Sequence, residues 1–509
     1  MGDVNVVVGG GTPSTADLSN YENGEVPWIT PADLSGYREK FIGRGQRNIT
    51  RKGLENSGAR LMPRGTVLFS SRAPIGYVAI AANELATNQG FKSFIPPEGI
   101  FPDYLYYYLQ RAKDQAIELA SGTTFLEISG TKAALIPLPI APFNEQQRIV
   151  SEIEKQLTRL DAAVAALKRV QANLKRYRAS VLKAACEGRL VPIEAELARK
   201  QGRDYEPADQ LLARILKERR TKWEEDQLAK MIAAGKPPKD DDWKKKYSEP
   251  VALDTSNLPK LPEGWIWASA DQLTDETRAI TYGVIKLGDD WLNGTPVLRS
   301  SDVRHLRLEL DHVKCIKPVI AEKYARTFLK GNEILITVRG TLGGVAIVPE
   351  ACRGFNISRE VAMLSLVCPS LAPALAEIIA SPQCQNWLLL NTVGIAYTGV
   401  NIERLKQLPI PLPPMEEQAR IHSAVDRQLT VGDRLQNSVA YELMRLSQLR
   451  QSVLQAAFEG KLVSQDPNDE PASVLLERIR SERGNSVPRA AARQLKLART
   501  RKDGLEVQI

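Results

Sequence analysis

The sequence has few cysteines and no long apolar run. Five cysteines among 509 residues stand singly and form no CxxC pair, so neither a disulfide framework nor a zinc site is expected. No stretch approaches the roughly 18 apolar residues of a membrane span. The start MGDVNVVVGGG lacks the basic residues and the apolar core of a signal peptide. We therefore expect a reduced, cytoplasmic protein with no membrane segment.

Catalytic motifs are also missing. The sequence contains no GxxxxGK[ST] phosphate loop and no [DN]PP[YF] motif, and its three histidines, His305, His312 and His422, stand in no HExxH or triad pattern. The stretch GGGTPS at 9–14 lacks the strand and helix that flank a nucleotide-binding loop, so it predicts a turn. The cluster DDDWKKK at 240–246 lies in a charged, proline-flanked stretch and is interpreted as linker. We expect a binding protein with no catalytic residue, no metal site and no cofactor of its own.

The sequence contains a long internal repeat. Residues 136–191 and 408–463 align without a gap and share 23 identities in 56 positions. The segment EPADQLLARILKER, from Glu206, returns as EPASVLLERIRSER, from Glu470. Upstream of the long match, RGTVLFSSRAPIGYVAIA at 64–81 resembles KGNEILITVRGTLGGVAIV at 330–348. A repeat this long predicts two copies of a whole module rather than a solenoid.

Each copy contains one long amphipathic helix. Asn144 is expected to cap a helix that ends at Gly188, and Pro414 and Gly460 mark the same ends in the second copy. A helix of this length is about 65 Å long at 1.5 Å per residue and is marginal in water by itself. We therefore predict that the two helices pack against each other as an antiparallel pair, through Ile149, Ile153, Leu157, Leu174, Val181, Ile421, Val425, Leu429, Leu446 and Val453.

An alternative is that each helix packs on its own globular module. That arrangement explains the apolar stripe but not the identities at positions expected to be exposed. Those identities suggest that the two copies also present the same outer surface, on which two equal partners could dock. They are Glu145, Gln146, Arg148, Gln156, Arg178 and Glu187, with their repeats.

The modules that precede the helices are predicted to be mixed α+β domains. The runs TVLFSS, YVAIA, EILIT and GVAIV predict strands, and the segments 104–121 and 371–381 predict helices. The predicted organisation is a first module at 1–143, a long helix at 144–190, a helical and charged connector at 191–257, a second module at 258–414, a second long helix at 415–462 and a helical tail at 463–509.

These landmarks resemble the specificity subunit of type I restriction-modification systems. The resemblance rests on two variable modules, each ending in PIPLPPMEEQARI or the similar PLPIAPFNEQQRI, and each followed by a helix that closes with SVLxxAxxGxLV. One feature departs from the family pattern. The second module opens with LPEGWIWASADQL, at Leu261, whereas the first begins at MGDVNVVV, where the second has QLTDETRA. A trimmed or misassigned start would explain the difference.

The resemblance implies a function as well as a fold. Its two modules would be target recognition domains that read the halves of a split site in double-stranded DNA, and its helices would form an antiparallel coiled coil with a pseudo-twofold internal repeat. Two modification subunits, using S-adenosylmethionine to methylate adenine N6, and restriction subunits, using ATP and Mg²⁺, would be its partners. A coiled-coil scaffold that tethers two protein-binding domains is the alternative; salt-dependent DNA binding would discriminate between them.

The basic loops are the candidates for DNA contact. The net charge is +8, and residues 34–72 hold nine basic side chains against two acidic ones. A solvated basic loop would look the same in sequence. Arg72 and Arg339 are the best candidates, because each follows a strand and precedes a glycine that permits close backbone approach. The full predicted set is Arg44, Arg47, Arg51, Lys52, Ser71, Arg72, Lys92, Arg299, Ser300, Arg304, Thr337, Arg339 and Arg359.

Overall fold

The structure is a computed structural model that describes residues 1–122, 126–394 and 398–483. The chain divides into two compact units. The first unit comprises Met1–Lys168 and Ala440–Ile509, and the second comprises Arg169–Val439. Among the described residues, no helix is both long enough and apolar enough to cross a membrane.

The first unit contains the first module. Its strands are β1 (Val6–Gly9), β2 (Val26–Ile29), β3 (Phe41–Ile42), β4 (Arg47–Ile49), β5 (Val67–Phe69), β6 (Val78–Ala81), β7 (Ala86–Thr87) and β8 (Lys92–Ile95). Its helices are α1 (Arg51–Glu55), α2 (Pro102–Arg111), α3 (Lys113–Leu119), α4 (Gly130–Ala134) and the part of α5 (Phe143–Cys186) up to Lys168. Residues 440–458, in the second long helix, and residues 472–483 are also helical, and residues 169–186 of α5 belong to the second unit.

The second unit contains the second module and the connector. Its strands are β9 (Ile266–Ser269), β10 (Thr281–Tyr282), β11 (Thr295–Leu298), β12 (Val303–Arg304), β13 (Arg307–Leu308), β14 (Lys314–Ile316), β15 (Ile334–Thr337), β16 (Val345–Ile347), β17 (Asn356–Ile357), β18 (Val361–Leu364) and β19 (Pro409–Leu412). Its helices are α6 (Glu194–Gln201), α7 (Ala208–Ala233), α8 (Ala270–Leu273), α9 (Pro318–Glu322), α10 (Ala372–Ile379), α11 (Pro382–Leu390), α12 (Ile402–Lys406) and the part of α13 (Met415–Phe458) up to Val439.

The two modules order their strands alike. The main sheet of the first module runs β1-β8-β5-β6-β3, and that of the second runs β10-β18-β15-β16. Each module adds a three-stranded sheet, β4-β2-β7 or β14-β11-β17, whose central strand pairs antiparallel on one side and parallel on the other. The central strands β5 and β15 are buried along their whole length, so apolar side chains cover both faces of each main sheet.

Each long helix contributes to the core of both units. In the first unit, Ile149 and Ile153 are 2% and 0% exposed and share a core cluster with Leu454 of α13. In the second unit, Val181, Ile421 and Val425 share a core cluster with the second module. Burying each such side chain stabilises the fold by roughly 1.5–3 kcal/mol before the entropy cost. The helix ends are therefore anchored in the module cores.

Polar contacts link the two helices within each unit. In the first unit, Arg450 of α13 forms an ion pair with Asp161 of α5. In the second unit, Arg178 of α5 forms an ion pair with Asp433 of α13, and the Tyr177 hydroxyl donates to Gln428 Oε1 at 3.0 Å. Leu429 and Val453 are partly buried against the two core clusters. Away from the anchored ends, the predicted packing is looser, because Leu174 and Leu446 are only partly buried.

Several sequence predictions of local structure were wrong. Asn144 is not a cap: α5 begins at Phe143, and the Asn144 side chain instead donates to Asp469 at 3.2 Å. The single helix predicted over 104–121 is two helices, α2 and α3, which meet at Ala112. The charged stretch 240–246, interpreted as linker, packs within the connector, where Trp243 stacks on Trp223 of α7 with ring centroids 6.1 Å apart.

The identities expected on the outer surface have a largely internal explanation. Gln146 is fully buried and hydrogen-bonds Phe101 N and Gly99 O. Its repeat, Gln418, is 3% exposed, and both glutamines donate to a carbonyl five residues upstream. Glu145 is also buried, and Arg148 and Arg178 form ion pairs with Asp469 and Asp433. These identities are therefore maintained by contacts inside each unit.

Candidate nucleic-acid interface

Two arginines lie at equivalent places in the two modules, each beside a short hairpin. In the first module Ser121 and Glu127 form an antiparallel bridge, called here the first hairpin, and Val393 and Gly399 form the second; residues 123–125 and 395–397 lie outside the described residues. The backbone of Arg72 bridges to Glu127 of the first hairpin, and that of Arg339 bridges to Gly399 of the second. Because strand ends and hairpins fix these positions, each arginine projects from a rigid part of its module.

Arg339 is an exposed cation with no acidic partner. Its guanidinium carbon lies 5.5 Å from the centre of the Tyr282 ring, and within the described part of the chain no carboxylate lies at ion-pair distance. The Tyr282 hydroxyl donates to Val400 O at 2.7 Å, and burial raises the pKa of this phenol against the effect of the arginine charge. The neutral ring therefore supports the guanidinium by a cation–π contact and leaves its donors free.

Arg72 has the same backbone setting, but its side chain faces an acid. Arg72 Nη1 lies 3.5 Å from Glu127, and Lys92 Nζ lies 3.6 Å from the same carboxylate. The residue that faces the arginine from the hairpin is thus an acid in the first module and a glycine in the second. The two modules therefore give the arginine at this position different partners, an acid shared with Lys92 in the first and no described acid in the second.

The basic loop of the first module remains largely available. Arg44 is exposed, and Arg47 of β4 lies over the Tyr21 ring at 4.3 Å. Arg51 lies 3.6 Å from Glu25, and Lys52 lies 3.1 Å from Asp17, but the Arg51 side chain is still 84% exposed. The hydrogen bonds from Ser19 and Lys52 lower the pKa of Asp17. A phosphate could replace either exposed acid at small cost, since surface ion pairs contribute little.

Three predicted residues of the second module are held by internal contacts. Arg299 makes two hydrogen bonds to Asp302, at 2.9 and 3.0 Å, and a third to His312 O, and Asp302 raises the pKa of the guanidinium. Arg304 lies 3.2 Å from Glu309 and Ser300 donates to Glu360 at 2.6 Å. Arg359 is exposed, with no ion pair to any described acid.

Two predicted hydroxyl contacts are corrected by burial. Ser71 is 0% exposed and Thr337 is 1% exposed. The Thr337 hydroxyl accepts a hydrogen bond from Gly344 N at 2.6 Å, which fixes the turn after β15. Neither hydroxyl can reach a DNA backbone in this conformation, so both leave the candidate set.

Sequence reasoning missed the hairpins and the residues that set the charge of each arginine. Glu127, Tyr282 and Gly399 carried no local signal, because each lies at least 55 residues from its arginine. A Cβ built on Gly399 would lie 2.6 Å from Arg339 Cγ and 2.8 Å from Val338 O. Only glycine leaves room at this point for the arginine as it stands.

No group of three or more histidine, cysteine, aspartate or glutamate side chains among the described residues is arranged to hold a metal ion. His422 Nδ1 lies 2.8 Å from Glu377, whose pKa is raised to about 7 by burial, and His305 Nε2 lies 3.1 Å from Ala380 O. The first contact joins α13 to α10 of the second module, and the second lies within that module.

The arrangement defines a two-module binding protein, and comparison with known proteins gives its family. The family described as type I restriction modification DNA specificity domain matches residues 1–176 and 280–436, more than half of the chain. The chain belongs to this family. The expected resemblance to type I specificity subunits is thereby confirmed.

Individual relatives agree with this family. The chain is 44% identical over 151 residues to the type I restriction enzyme MjaIX specificity subunit of Methanocaldococcus jannaschii, covering 29% of this chain and 35% of that protein. It is 29% identical over 366 residues to the EcoBI specificity subunit of Escherichia coli, covering 70% of this chain and 66% of that protein. The matched region thus spans less than two thirds of either relative.

A solved structure shares the fold. It was determined for the complex assembly and conformational transition of the type I restriction-modification system, and it superposes with a TM-score of 0.60 at 17% identity. The superposition covers 90% of this chain and 96% of that one. At this identity, the similarity establishes the fold alone.

Proposed function

We propose that this chain gives a type I restriction-modification complex its DNA sequence specificity, with each module reading one half of a bipartite site in double-stranded DNA. The observation that carries the proposal is the family match over both modules, 1–176 and 280–436. Two recognition modules in one chain require two half-sites. The different residues that face Arg72 and Arg339, an acid and a glycine, support two different half-sites.

The proposed DNA contacts are the exposed cations of each module. Arg339 and Arg359 in the second module, and Arg44 and Arg47 in the first, have no carboxylate at ion-pair distance among the described residues. A guanidinium free of an acid can bind guanine O6 and N7 through two hydrogen bonds. Cations already paired suit phosphate contacts, which position the protein without reading sequence; these are Arg51, Lys52, Arg72, Lys92, Arg299 and Arg304.

The two long helices are proposed to form an antiparallel coiled coil with a pseudo-twofold repeat, which would fix the spacing of the half-sites. Arg178 and Arg450 are the same position of the repeat, as are Asp161 and Asp433. In each unit, the arginine of one copy therefore pairs with the aspartate of the other copy: Arg450 with Asp161 in the first unit, and Arg178 with Asp433 in the second. The matching strand orders of the two modules support the duplication further.

The partners follow from the family and remain proposals. We propose that two modification subunits and restriction subunits dock on this chain in the cytoplasm. The modification subunits would use S-adenosylmethionine, and the restriction subunits would use ATP and Mg²⁺. This chain would bind and orient without catalysing. Adenine N6 lies inside the duplex, so methylation requires the modification subunit to take the base out of the stack.

The test is co-purification of the full chain with its modification subunit, followed by methylome sequencing of cells that express both. The expected result is one bipartite motif carrying N6-methyladenine on both strands. A stable complex that methylates DNA at unrelated sites would contradict sequence reading by this chain. Absence of any complex would contradict the docking proposal, and the scaffold alternative would then be favoured.

A further inference from the structure

A lysine ammonium joins the module to the long helix in the first unit. Lys40 Nζ lies 2.5 Å from Glu154 Oε1 of α5 and forms an ion pair with Asp103 of α2. The centre of the Tyr107 ring lies 6.0 Å from the same Nζ, and the Tyr107 hydroxyl donates to Glu154 Oε1 at 3.4 Å. Side chains of two helices therefore surround one primary ammonium group.

The second unit has the same framework without the lysine. Asp426 of α13 is the repeat of Glu154. Helix α10 follows β18 as α2 follows β8, and it supplies Glu377. Lys40 immediately precedes β3, which runs parallel to β6 at the edge of the main sheet. The segment that runs parallel to β16, the counterpart of β6, contains residues 305–306, a histidine and a leucine.

These residues line a cavity of about 280 Å³, and two of their buried atoms have no hydrogen-bond partner. Glu377 Oε1 lies 2.8 Å from His422 Nδ1, but Oε2 has no partner among the described residues, although the side chain is only 8% exposed. His305 Nε2 donates to Ala380 O at 3.1 Å, and burial lowers the pKa of the ring, so the unpartnered Nδ1 carries a lone pair. Because an unsatisfied buried polar atom costs free energy, the two atoms indicate a ligand with N–H donors.

The charge of the cavity favours a cation. Asp426 has no cation at ion-pair distance among the described residues. Burial raises the pKa of Glu377 to about 7, and the charge of Asp426 acts in the same direction. The two arginines of the lining, Arg178 and Arg307, each form an ion pair with another acid. An added cation would therefore meet two carboxyl groups that no lysine or arginine neutralises.

We propose that this cavity binds the primary ammonium group of a small aliphatic amine, in the place that Lys40 takes in the first unit. An ammonium has three N–H donors, and Glu377, Asp426 and His305 offer three acceptors. The bound amine would join α10 to α13, as Lys40 joins α2 to α5. Apolar side chains of the lining would contact its alkyl chain; they are Leu306, Ile347, Pro373, Ala376 and Leu429.

The test is isothermal titration calorimetry of the full chain with n-butylamine at pH 8, above the pKa of Glu377. Butan-1-ol is the matched ligand, because it has the same alkyl chain without the charge. Butylamine is expected to bind about tenfold more tightly than butanol, since hydrogen bonds to charged groups are the stronger ones. Equal binding of the two ligands would overturn the proposal, because apolar space alone would then account for it.

A pair of acid variants tests the acceptors. Glu377→Gln keeps the shape of the side chain and is expected to weaken butylamine binding about tenfold. Glu403→Gln changes an exposed acid of the same unit that does not line the cavity, and is expected to leave the affinity unchanged. Equal affinity of both variants and the unaltered chain would overturn the proposal.

A second measurement supplies the ammonium from the chain itself. Leu306→Lys is expected to abolish butylamine binding and the rise in unfolding temperature that the amine gives the unaltered chain. Leu310→Lys, at an exposed leucine outside the cavity, is expected to retain both. Undiminished binding by a folded Leu306→Lys variant would contradict the equivalence with Lys40, and if this variant does not fold, the Glu377→Gln result decides. Butylamine that gives the unaltered chain neither binding heat nor a higher unfolding temperature would also overturn the proposal.

Discussion

Replacing Arg339 by alanine tests the cation that is most available for DNA in the second module. Its guanidinium already stands on the Tyr282 ring without an acidic partner, so binding DNA breaks no ion pair. A two-hydrogen-bond contact to a guanine contributes about 1–3 kcal/mol of discrimination. Loss of that contact corresponds to a roughly 5- to 150-fold weaker complex with the cognate site.

The assay is anisotropy of the purified complex with modification subunits on a labelled duplex that carries the methylome-derived motif. Arg339→Ala is expected to weaken binding to the cognate duplex and to remove the preference at one guanine of one half-site. The slope of log K against log salt is expected to stay unchanged, because the number of phosphate contacts does not change. Arg353→Ala is the matched control, since Arg353 is also exposed but is paired with Glu350.

Two outcomes would refute the reasoning. Equal weakening on every sequence, with a salt slope reduced by about one, would make Arg339 a phosphate contact. Unchanged affinity on all duplexes would remove Arg339 from the interface. Circular dichroism of the variant is needed in either case, although removal of an exposed side chain should leave the fold intact.

The remaining predictions concern charge, space and stability. Glu127→Gln frees two cations and is expected to tighten binding to any duplex and steepen its salt slope, measured by the same anisotropy titration. Gly399→Ala crowds Arg339 and is expected to reproduce much of the loss seen in Arg339→Ala; full cognate affinity would contradict the packing argument. Arg219, 1% exposed beside Glu276 and Asp271, stabilises the second unit; Arg219→Met is expected to cost about 3–5 kcal/mol in denaturant unfolding, because it leaves the buried Asp271 and the half-buried Glu276 without their cation. Burial raises the pKa of Glu377 to about 7, against the effect of the His422 hydrogen bond. The protonated carboxyl therefore stabilises the fold fully below its ordinary pKa, and this stability is lost as the pH rises through 7. Glu377→Gln is expected to flatten this decline, by up to about 3 kcal/mol at 1.36 kcal/mol per pKa unit, in thermal unfolding between pH 4.5 and 8; an unchanged decline would assign it to other groups.

Features set by local chain chemistry were predicted from the sequence. β-branched and apolar runs located strands β5, β6, β15 and β16, and the glycines at 188 and 460 located the helix ends, where both adopt positive φ. The hydroxyl predictions failed for an equally physical reason. Strands β5 and β15 are buried on both faces, so they carry no alternation that could show which way Ser71 and Thr337 point.

Features set by distant residues could not be predicted from local sequence. The charge available at Arg72 depends on Glu127, and that of Lys40, in the same basic loop, is cancelled by Asp103 and Glu154. Counting basic residues along 34–72 therefore overstates the positive charge that the first module presents. A run of basic residues predicts a nucleic-acid surface only when the acidic side chains that the fold brings to the same surface are also counted.

The repeat supplies the comparison that a single module would lack. Residues 136–191 and 408–463 share 23 of 56 residues, and where matching residues differ in burial, the cause is what packs on them. Leu138 and Ile410 occupy the same position and differ in burial because one has a strand beside it. Gln146 and Gln418 are identical and buried alike because both bond to the turn before their helix. Identity between the copies is therefore explained first by internal contacts. A docking surface is best sought among the identical residues that make no such contact and are exposed, such as Glu459.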